Sequence, residues 1–75
     1  MNYQYVMCSN YFGSQAVARE SGGVYEMFTH NRKDWYESET AIMAFMNIED
    51  HIWEPIDETQ AMLFTDKIIE QQVVA

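Results

Sequence analysis

The sequence predicts an α+β fold, with a small antiparallel sheet in its first half and two helices in its second. Three observations predict it. Apolar residues alternate with a period of two up to residue 37, then recur at helical spacing after residue 38. The paired glycines Gly22-Gly23 punctuate the first half as a tight hairpin requires. Ser38 and Asp57, both good helix-start residues, stand directly before the two segments of helical period.

Taken in order, residues 3–8 are rich in β-formers and place Tyr3, Tyr5 and Met7 on one face. Asn10 to Gly13 reads as a turn. Residues 15–20 form a weaker second strand in which Val17 is the β-branched residue. After Ser21-Gly22-Gly23, residues 24–29 alternate well: Val24, Glu26 and Phe28 face one way, and Tyr25, Met27 and Thr29 the other. His30 to Lys33 is a polar turn, and residues 34–37 make a short strand around Trp35 and Tyr36. The expected sheet is a meander of three or four strands.

Ser38 caps a helix expected over residues 39–48, with Glu39 suited to its positive N-terminus. Ala41, Ala44, Phe45 and Ile48 form its core-facing stripe. Ile42, Met43 and Met46 widen that stripe, so burial on two sides is expected. Residues 51–54 add a short strand, and Pro55 reads as a break. Asp57 and Gln60 form a capping box for a helix over residues 58–71. Ala61, Phe64 and Ile68, flanked by Met62 and Ile69, line its inner face, while Glu58, Asp66 and Glu70 point outward. Val73-Val74-Ala75 reads as a frayed end or a contact for a partner. Both helices are expected on one face of the sheet.

Seventy-five residues make one domain. A domain this small buries only about 60% of its unfolded surface. The single cysteine, Cys8, excludes an intrachain disulfide. Stability must then come from a dense core or from association, and five Tyr, four Phe, two Trp and six Met supply the material for either. One cysteine suits a reducing compartment. The first residues lack the basic and apolar regions of a secretion signal, and no apolar run is long enough to span a membrane. A cytoplasmic location is the expectation.

The whole net charge of −8 lies in residues 37–75, where nine carboxylates face Lys67 alone. Such a surface repels nucleic acid and anionic membrane and attracts basic partners. In size and charge the chain is similar to the small acidic anti-restriction and anti-CRISPR proteins of phages; the similarity is one of composition and covers no motif.

Candidate chemistry is sparse. Cys8, His30 and Asp34 are the residue types of a thiol nucleophile with its base, but nothing local brings them together. Glu49, Asp50, His51 and Glu54 carry metal-ligating groups at a spacing that matches no zinc pattern. Gly13 and Gly22-Gly23 form no phosphate loop, and Arg32-Lys33 is too small a patch for nucleic acid. No catalytic residue, metal or cofactor is assigned. The expectation is a non-enzymatic interaction domain of phage or bacterial type, an inhibitor in the sharpest version. It would bind a basic, nucleic-acid-handling protein through Glu49, Asp50, Glu54, Glu58, Asp66 and Glu70. A self-associating protein using Ile42, Met43 and Met46 or a sheet edge is the second reading. A small-ligand or metal binder using Cys8 and His30 or the 49–54 cluster is the third.

Overall fold

The computed structural model describes residues 2–73, with side chains described through residue 70. The chain is α+β. Among the described residues, one antiparallel sheet contains β1 (Gln4–Tyr11), β2 (Ser14–Ser21), β3 (Val24–Thr29), β4 (Trp35–Glu37) and β5 (Glu54–Ile56). Helix α1 (Glu39–Met46) precedes β5, and α2 (Glu58–Val73) follows it. The strand order is β4-β3-β2-β1-β5, so the meander runs across four strands and the fifth returns beside the first. The sheet is thus one strand larger than a four-stranded meander. The expectation for Val74 and Ala75 lies outside the described residues.

Local chemistry explains the turns. Gly22 and Gly23 have φ of 58° and 85°, the left-handed pair that a two-residue hairpin needs. The first hairpin is tighter than expected: β1 runs to Tyr11, leaving Phe12 and Gly13 as its turn. Asn10 Oδ1 accepts the Gly13 N–H at 3.0 Å, and an extra residue bulges β1 between Cys8 and Tyr11. Pro55 lies within β5 rather than breaking it. A proline is tolerated on an edge strand because it need not donate to the ladder, and there it blunts the edge against further pairing.

The helices lie on opposite faces of the sheet, which corrects the expectation of one face. Register shows why. Val6 pairs with Ala18 and Ala18 with Met27, so these three share a face with Cys8 and Ala16. Ala41 and Ala44 of α1 pack there, together with Trp53. Tyr5, Met7 and Val17 point the other way and meet Ala61 and Phe64 of α2. Four alanines at the α1 contact, Ala16, Ala18, Ala41 and Ala44, are almost wholly buried, and their small side chains let helix and sheet approach closely.

Both helix starts follow the expected chemistry. Ser38 Oγ accepts the Thr40 N–H at 3.1 Å. Asp57 Oδ1 accepts the Gln60 N–H at 2.8 Å, and Gln60 Oε1 accepts the Asp57 N–H at 3.3 Å. Replacing Asp57 by alanine removes the cap and should cost about 1 kcal/mol in a urea melt, whereas Asp57→Asn should cost a few tenths at most. The end of α1 differs from expectation. Asn47 takes a left-handed conformation (φ 59°), and the Ile48 N–H bonds back to the Met43 carbonyl at 3.1 Å. The helix therefore stops at Met46, and Ile48 leaves the inner stripe for solvent. Ile42 and Met46 are exposed too, so α1 is buried on one side rather than two. On α2, Met62 and Ile69 are exposed instead of flanking the core, while Ala61 and Ile68 are buried.

Candidate functional site

Of the groups singled out from the sequence, Glu49 and His51 meet, several acids share one surface, and others stand apart. The Cys8, His30 and Asp34 set is dispersed. Cys8 is 2% exposed inside the α1-side core, and burial pushes its thiol up, away from the thiolate a nucleophile needs. Cys8 pairs with Ala16 and Ala16 with Thr29, which sets Cys8 about 10 Å from the end of β3. His30 follows that end and is exposed, and Asp34 lies 3.5 Å from Arg32 instead.

Glu49 and His51 do come together, as a hydrogen-bonded pair. The Glu49 side chain is only 7% exposed. It accepts His51 Nδ1–H at 2.8 Å, the His51 backbone N–H, and Trp53 Nε1–H at 3.2 Å. Burial alone would raise its carboxyl, but these donors outweigh burial and hold it below the usual carboxylate range. The His51 ring packs against both Tyr11 and Phe12, with centroids at 4.8 and 4.7 Å. Asp50 and Glu54 are both exposed, and no group of three His, Cys, Asp or Glu among the described residues is placed to hold a metal ion. The pair pins the α1–β5 connection to the first hairpin. Tyr11, Phe12 and Trp53 were not among the sequence candidates. The backbone bends through residues 49–51, so no simple alternation in the sequence marks the meeting of Glu49, His51 and Trp53.

A second cluster lies on the α2 side. Arg19 Nε donates to Glu26 Oε1 at 2.8 Å, and its guanidinium sits 4.3 Å from the Tyr3 ring and 4.0 Å from the Trp35 ring. Burial raises the nearby Tyr5 hydroxyl, aided by the Glu58 charge and opposed by Arg19. This arrangement ties β1, β2, β3 and β4 together and consumes the arginine's charge locally.

The remaining acids form the surface. Glu54 pairs with Met7 and shares its face, the one α2 covers. Glu54, Asp57, Glu58, Asp66 and Glu70 are all exposed along β5 and α2. Asp66 and Glu70 stand on the side of α2 opposite buried Ala61 and Ile68. Of the six expected contact residues, four gather here. Asp50 lies in the α1–β5 connection beside Phe12 and Ile48, and the Glu49 carboxylate is turned inward, which removes it from the acidic surface.

The chain matches no family model, no curated protein and no solved structure. No helix among the described residues is long and apolar enough to cross a membrane.

Proposed function

We propose that this protein is a non-enzymatic interaction domain that docks a basic protein through the outer surface of α2 and the strand leading into it. The observation that carries the reading is the five exposed carboxylates of residues 54–70 on one side of the sheet, with Lys67 as the single cation in that segment. Exposed Met62, Leu63 and Ile69 lie among them and add apolar contact area.

Charge density favours a basic protein groove or helix as the contact over imitation of duplex DNA. Glu58 and Glu70 are twelve residues apart on α2, about 18 Å along its axis. A duplex presents about ten phosphates over that length. Here Glu58, Asp66 and Glu70 face it against Lys67, a far sparser array. Carboxylates so spaced suit individual Lys or Arg side chains, with charge setting the encounter rate and orientation.

A tagged pull-down from nuclease-treated bacterial lysate at low and high salt tests this. The expected result is a basic protein captured at low salt and released at high salt, because screening shortens from about 10 Å to about 3 Å between 0.1 and 1 M. A partner of neutral or acidic composition held equally at both salts would overturn it.

A further inference from the structure

We infer that the opposite side of the molecule, the outer surface of α1 with the tip of the β1–β2 hairpin, is a two-fold interface with a second copy of this chain. This surface is separate from the α2 acids and does not depend on their role. Phe12 is 80% exposed, Ile48 62%, Met46 61% and Ile42 38%, and half-buried Tyr11 and Met43 adjoin them. At roughly 150–200 Å² for a large apolar side chain, these residues leave on the order of 500 Å² of apolar surface on one side. That matches the apolar share, about 65%, of the roughly 800 Å² each partner contributes to a standard interface.

The backbone at the tip points the same way. Phe12 has φ of 52°, a left-handed conformation that costs a bulky residue energy and that glycine or asparagine adopts freely. Its ring is nevertheless held outward by edge contacts with Tyr11 and His51. The two-residue turn requires the left-handed backbone at both Phe12 and Gly13, and so sets this apolar ring at the tip, in solvent.

Shape and charge select a second copy as the occupant. An isologous interface requires a patch that contains both a ridge and the groove it fits. Ile42 and Met46, one turn apart, form an outward ridge on α1. Beside it lies a groove of about 250 Å³ lined by Phe12, Met43 and Ile48, with His51 and the carboxylate residues Glu49 and Asp50. The ridge of each copy can enter the groove of the other. The acidic strip over α2 stays on the far side of each sheet, while Asp50, which lines the groove, and Glu39 at the start of α1 fall at the rim of the contact, where polar groups of an interface belong. The dimer would display two acidic surfaces outward.

Sedimentation from low to high micromolar concentration, at low and high salt, reads the outcome. The expected result is a mass approaching twice 8.9 kDa, undiminished by salt. Phe12→Asn removes the ring while relaxing the left-handed backbone. It should fold at least as well as the parent and weaken association at least tenfold, as should Ile48→Ser. Leu63→Ser on α2 should dimerise normally. As a check that needs no variant, amide shifts on dilution should concentrate in residues 11–13 and 39–52. A monomer at high micromolar concentration, or a dimer unaffected by Phe12→Asn with shifts elsewhere, would overturn the proposal.

Discussion

Replacing Met27 by alanine should lower the unfolding free energy by about 2–5 kcal/mol, the range for deleting a large buried side chain whose cavity only partly collapses. Met27 is 1% exposed, at the centre of β3. It pairs laterally with Ala18 and Tyr36 and packs in the cluster beneath α1. Its alanine neighbours have no side-chain length with which to fill the gap. A domain of this length has a total stability of about 4–11 kcal/mol, so the upper end of that loss leaves it barely folded. Met27→Leu nearly conserves volume and should cost less than about 1.5 kcal/mol. Urea unfolding of the two variants beside the parent measures both. A loss under about 1 kcal/mol for the alanine variant would mean that α1 does not seal this face.

Removing the buried carboxylate should have an effect of similar size and a distinctive pH dependence. Glu49→Ala strands the N–H donors of His51 and Trp53 in a partly buried site, at a cost of about 2–4 kcal/mol. In the parent, donors to Glu49 hold its folded pKa below the unfolded value of about 4.5. Its contribution is therefore complete above that value and is lost as pH falls through the lowered folded pKa. The parent should lose stability across that acid window, and Glu49→Gln, which keeps an acceptor but cannot titrate, should show a shallower acid limb. Trp53 emission reports the transition directly. Parallel acid limbs for parent and Glu49→Gln would show that this carboxylate is not held by its donors.

Much of the local architecture was legible. Val24 to Thr29 alternates cleanly, Gly22-Gly23 marks its hairpin, and Ser38 and Asp57 cap their helices, because each depends on contacts within a few residues. The placement of the helices was harder, yet it left a trace. In β1, Val6 and Cys8 alternate with Tyr5 and Met7, and in β2 Ala16 and Ala18 alternate with Val17. Strands apolar on both faces belong to a sheet covered on both. Ile48 leaves the stripe because periodicity alone does not see a left-handed Asn47 ending the helix two residues early. The inward turn of Glu49 depends on Trp53 and His51 meeting Tyr11 and Phe12, forty residues away in the chain, and no local pattern carries a contact of that range.

The fold that results has two unlike exteriors, acidic and partly apolar over α2, apolar over α1. The most direct test of that assignment is a quantitative pull-down comparing the parent with a triple variant, Glu58→Gln with Asp66→Asn and Glu70→Gln, and with Phe12→Asn. The account predicts that the triple variant loses the salt-sensitive basic partner, while Phe12→Asn still captures it. Loss of the partner by Phe12→Asn, together with full retention by the triple variant, would contradict the assignment and move the partner site to the α1 side.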